Sequence, residues 1–115
     1  MKKPTHKMFL EDIQEAMSKI ERYTSGLTYQ TFVNNEMAVD AVIRNLAVIG
    51  EASRNIPDSV REKYTDIQWG RMVGLRNIVI HQYFSVDLSI IWKIITENLP
   101  ETKPQIAEML EHFDE

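Results

Sequence analysis

Residues 69–84, WGRMVGLRNIVIHQYF, constrain the chain more than any other stretch. With a step of about 100° per residue, a helix over 68–83 puts Trp69, Met72, Val73, Val79 and Ile80 on one broad face. Leu75 and Ile78 add apolar surface elsewhere. A helix so nearly apolar all round belongs at the centre of a bundle or in an interface. Its polar groups do not share one stripe. Arg76 and Tyr83 fall within about 20° of one another and about 10 Å apart, whereas His81 lies about 140° round from Arg76. His81 shares its side with Asn77, Gly70 and Gly74. Two helical glycines at i, i+4 cost about 1 kcal/mol each relative to alanine, and close approach of another backbone is a frequent reason for accepting that. The strip therefore predicts packing against a second copy. Across a two-fold axis, Arg, Asn, His and Tyr from both chains would enter each cleft, so that groups badly placed in one helix converge between two.

The rest of the chain reads as helices broken by short turns. Phe9, Ile13, Ala16, Met17, Ile20 and Tyr23 recur at helical spacing, and Gly26 follows where a C-terminal cap belongs. A second, largely buried helix runs from about Asn34 to Arg54, with Glu36, Asp40, Arg44, Glu51 and Asn55 as a narrow polar stripe. Pro57 and Asp58 open a short piece through about Tyr64. Asp87 caps a later helix, with Val86 and Ile91 at hydrophobic-staple spacing, and Pro100 is expected to end it. Thr102 and Gln105 have capping-box spacing for a last helix. YQTFV alone alternates like a strand, at a place where a helix entry also fits. The expectation is all-α, a four- to five-helix bundle formed by residues 1–115 as a single domain.

At 115 residues the chain is long enough for one core and too short for two. Without cysteine there is no disulfide framework, thiol nucleophile or Cys-type zinc site, and a reducing cytoplasmic setting is the default expectation. No apolar run approaches a membrane span, so a soluble protein with no membrane partner is expected. A net charge of −4 argues against a general polyanion binder. Residues 54–96, however, hold six basic side chains against four acidic ones, so any nucleic acid is expected near the middle of the sequence.

Ordinary readings compete for every singled-out residue. A His among apolar residues is usually a hydrogen-bonded core residue, an Arg there usually pairs with a carboxylate such as Asp40 or Glu51, and a Tyr near a helix end usually packs. On spacing alone these readings are preferred. His6 falls in a terminus expected to fray, and His112, one turn after Glu108, suits a helix dipole. The three histidines are too scattered for a metal site, and no metal or other cofactor is expected. Glu36, Asp40 and Arg44 read as a solvated or intrahelical ion-pair stripe, and Met17, Met37 and Met72 as core packing.

The stretch Arg76, four residues NIVI, His81, Gln82, Tyr83 resembles the signature of the HEPN superfamily, and specifically its HepT branch, where a Tyr follows two residues after the His. FLEDIQEAMSKIERYTSGL, AVDAVIRNLAVIGEASRNIP, REKYTDIQW and GLRNIVIHQYFSVDLSIIW resemble that family's segments in order. The resemblance implies a helical bundle dimerising through the motif helices. It also implies a metal-independent endoribonuclease toxin of a type VII-like toxin–antitoxin pair, with RNA as substrate. The antitoxin would be a minimal nucleotidyltransferase of the MntA type that silences the toxin by AMPylation of the motif tyrosine, here Tyr83. Metal-free RNA cleavage needs a proton-moving group near neutral pH and a cation for charge developing on phosphate. His81 and Arg76 supply these, and Asn77 could orient either group or the RNA. The alternative within the same fold is a catalytically inactive module that binds a nucleotide or partner.

Overall fold

The computed structural model describes residues 5–81 and 87–112, the side chains of 78–81 excepted, and every regular element among them is helical. Helix α1 (His6–Thr24) starts at Thr5, whose hydroxyl accepts from the Met8 amide, and buries Leu10, Ile13, Ala16, Met17 and Ile20. Leu10 replaces Tyr23 in the expected stripe. Tyr23 is exposed, with the Arg22 guanidinium 5.9 Å from its ring centroid. His6, expected to fray, is the first residue of the helix. Gly26 stops the chain in the left-handed region at φ +78°, where a side chain would be strained.

YQTFV is helix α2 (Tyr29–Val33), because Thr28 and Thr31 cap each other's backbone amides. That turn sends Phe32 fully into the core, with its ring centroid 5.1 Å from that of Trp92. Asn35 then caps α3 (Glu36–Arg54) by accepting from the Ala38 amide at 3.0 Å. The buried stripe of α3 is Ala38, Val42, Leu46, Ile49 and Ala52. Met37, expected in the core, is 84% exposed, since it stands one helical step, about 100°, off that stripe. Met17 and Met72 are buried as expected. Glu36, Asp40 and Arg44 are all exposed, and none takes part in the ion pairs found among the described residues, so the stripe is solvated.

After α4 (Asp58–Arg61), the Trp69 indole donates to the Tyr64 carbonyl at 3.1 Å and ties the connection to the start of α5 (Trp69–His81). Among described side chains, α5 buries Trp69, Met72 and Leu75 and leaves Val73 only partly covered. Leu75 therefore belongs to the inward face, which is turned further towards it than periodicity indicated. Helix α3 packs most extensively against α5 on one side and α1 on the other.

The last two helices form one rod. α6 (Leu88–Lys93) is capped by Asp87, as expected, while Val86 of the proposed staple lies outside the described residues. Pro100 does not end it: a π turn at Ile94–Asn98 leads directly into α7 (Leu99–Glu111). The wide turn shifts the hydrogen-bond ladder just ahead of Pro100, which then occupies the first turn of α7, where a missing N–H costs little. Thr102 consequently forms no capping box, and its hydroxyl donates back to the Asn98 carbonyl at 3.1 Å. His112 caps the rod, its Nδ1 3.0 Å from the Glu108 carbonyl. No helix of the described residues is long and apolar enough to cross a membrane.

Candidate functional site

The motif arginine is fixed from below by a glycine. Where α3 crosses α5, a Cβ added at Gly50 would lie 2.6 Å from the Arg76 amide nitrogen and 3.2 Å from its Cα, so only glycine lets the two backbones meet. The next residue on α3 then reaches the side chain: Glu51 Oε2 is 3.1 Å from Arg76 Nε. Of the two carboxylates expected as partners, Asp40 and Glu51, it is Glu51 that pairs. Neither group is buried, with side-chain exposures of 41% for Arg76 and 49% for Glu51. A guanidinium held at Nε and open to solvent presents the rest of its planar fork to an incoming anion, and that fork matches phosphate oxygens.

Asn77 is exposed. Among the described residues nothing comes within 4 Å of a Cβ built at Gly70 or Gly74, so no contact among those residues requires either glycine. The backbone of His81 closes α5, its side chain is outside the described set, and Tyr83 lies outside the described residues. The structure thus joins Arg76 to Glu51, and the placement of His81 and Tyr83 relative to them rests on the motif. A separate cavity of about 580 Å³ opens between α5 and the α6–α7 rod, floored by Met72, Leu75 and Leu99 and edged by Arg71 and Lys93. Arg76 does not line it.

Sequence reasoning passed over Gly50. Its signal was present, a glycine inside the densely apolar AVIGEASR, but Gly70 and Gly74 drew the same argument more strongly because they sit beside the motif.

The ribonuclease HepT-like family model matches residues 13–109, a span that contains Gly50, Glu51, Arg76, His81 and Tyr83. The chain belongs to the HepT-like family. It is 45% identical over 106 residues to a Methanocaldococcus jannaschii protein provisionally named RNase MJ1380, covering 92% of this chain and 97% of that one. A Thermococcus cleftensis protein provisionally named ribonuclease HepT is 38% identical over 107 residues, 93% of this chain and 97% of the relative. A second M. jannaschii relative, provisionally named RNase MJ0125, is 39% identical over 115 residues, 100% of this chain and 99% of its own. No solved structure matches the chain. Of the motif side chains Arg76, His81 and Tyr83, Arg76 is the one whose surroundings are described, and they are a half-exposed ion pair with Glu51.

Proposed function

We propose that this HepT-like chain is a metal-independent endoribonuclease, the toxin of a two-component pair, working as a dimer with a site shared between copies. The observation that carries the reading is the family match over residues 13–109, which takes in the whole Arg76 to Tyr83 motif. His81 removes the proton of a ribose 2′-OH. The 2′ oxygen then bonds to the adjacent phosphorus as the bond to the 5′ oxygen breaks and that oxygen takes up a proton from water, leaving a 2′,3′-cyclic phosphate and a 5′-hydroxyl. Arg76 holds the phosphate oxygens on which charge develops, and Asn77 orients one of these groups or the RNA. DNA, lacking the 2′-OH, is not cut.

The cognate partner in this reading is a minimal nucleotidyltransferase that places AMP on Tyr83. The modification adds an anionic phosphate and a nucleoside within the motif, opposing RNA by charge and by bulk. Co-expression with the transferase should add mass in AMP units that disappears in Tyr83→Phe. An unchanged mass increase in that variant places the modification elsewhere.

The activity itself is tested by incubating matched RNA and DNA oligonucleotides with purified protein in excess EDTA, beside Arg76→Ala and His81→Ala. Cleavage of RNA alone, lost in both variants, is the expected result. Equal cleavage by wild type and variants would assign the activity to a contaminant. Stable RNA or partner binding without turnover would favour the catalytically inactive binding module.

A further inference from the structure

We propose that Glu51 is the positioning residue for Arg76, aiming its guanidinium at the RNA phosphate; the assignment rests on the ribonuclease reading above. Two features of the α3–α5 crossing make it. Gly50 lets α3 come against the backbone of Arg76, since any Cβ there would meet the Arg76 amide at 2.6 Å, and so brings Glu51 within reach of that side chain. Glu51 Oε2, 3.1 Å from Nε, then fixes where it points. An arginine side chain has several rotatable bonds, and an ion pair at Nε restricts them while the terminal nitrogens keep no ion-pair partner among the described residues.

Stability is a poor explanation for the pair. Half-exposed ion pairs contribute little to folding, and α3 and α5 are already joined by buried side chains on both helices, among them Leu46, Ile49, Met72 and Leu75. The pair has a different consequence at a phosphate site. A carboxylate beside the guanidinium weakens ground-state attraction for RNA while organising the donor for the transition state. Removing it should loosen the aim and strengthen non-productive binding. That combination lowers kcat without raising KM, which loss of a merely structural contact does not do.

The test compares kcat and KM for RNA cleavage by wild type, Glu51→Gln, Glu51→Ala and Arg76→Ala, together with the Arg76 Nε–H signal in a nitrogen-15 NMR spectrum. Glu51→Ala is expected to lower kcat about 10-fold or more with KM unchanged or reduced. Glu51→Gln, which removes the charge of the ion pair at nearly unchanged size, should lose about as much, and the Nε–H signal should shift in both. If wild type cuts RNA, Arg76→Ala does not, and both Glu51 variants keep the wild-type kcat, the positioning role is overturned while the ribonuclease reading stands. If wild type does not cut RNA, both fall together. An Nε–H signal unmoved by Glu51→Gln overturns the pairing itself, whatever the activity.

Discussion

Gly50 is the residue on which the site geometry turns. Replacing it with alanine drives a methyl group into the backbone of Arg76 rather than into a flexible side chain, so α3 and α5 must separate locally. Gly50→Ala should cost about 1–3 kcal/mol of stability, read as a lower urea midpoint with an unchanged slope, and should lower RNA cleavage beyond the loss of folded protein. An unchanged midpoint would mean that the crossing is looser than described. That Arg76 would pair with a nearby carboxylate was legible in the sequence, because an arginine among apolar residues needs one. That Gly50 lies beneath it was not. A glycine's purpose depends on which helix crosses it, and that is decided by tertiary packing rather than by local spacing.

At the level of elements, the cap at Asp87 was legible, whereas the cap expected at Thr102 and the helix end expected at Pro100 were not what the chain forms. Asp87 was readable as an N-cap, and it accepts from both the amide and the hydroxyl of Ser89, at 2.9 and 2.5 Å. Those hydrogen bonds, the hydroxyl's first, hold its carboxyl below the ordinary value. A carboxyl whose pKa is lower in the folded state contributes stability above its unfolded pKa and loses it as pH falls through the folded one. Asp87→Ala should therefore melt at a lower temperature than wild type at neutral pH, and the gap should narrow as pH drops below the usual carboxylate range. A gap independent of pH would contradict this. Pro100, by contrast, looked like a helix end because proline cannot donate to the ladder. The π turn at Ile94–Asn98 removes that obstacle by resetting the ladder just before it, a device no local residue pattern announced.

For the whole molecule, the all-α architecture followed from periodicity, whereas the second copy is an inference from glycines that no contact among the described residues requires. Gly74 meets nothing within 4 Å among the described residues. In an isolated chain Gly74→Ala should gain up to about 1 kcal/mol of helix stability. If the Gly70, Gly74, Asn77, His81 strip faces a second copy, the same methyl group obstructs that approach. The variant should then be more stable at low concentration yet dissociate at higher concentration than wild type in sedimentation experiments; an unaltered dimer would remove the strip from the interface.

The composite site is tested most directly by mixing Arg76→Ala and His81→Ala, each inactive alone, after exchange of subunits in excess EDTA. With arginine and histidine drawn from different chains, half of the dimers are mixed and each has one intact site. RNA cleavage should return to about a quarter of the wild-type rate. Continued inactivity of a mixture shown to contain mixed dimers would contradict the shared site.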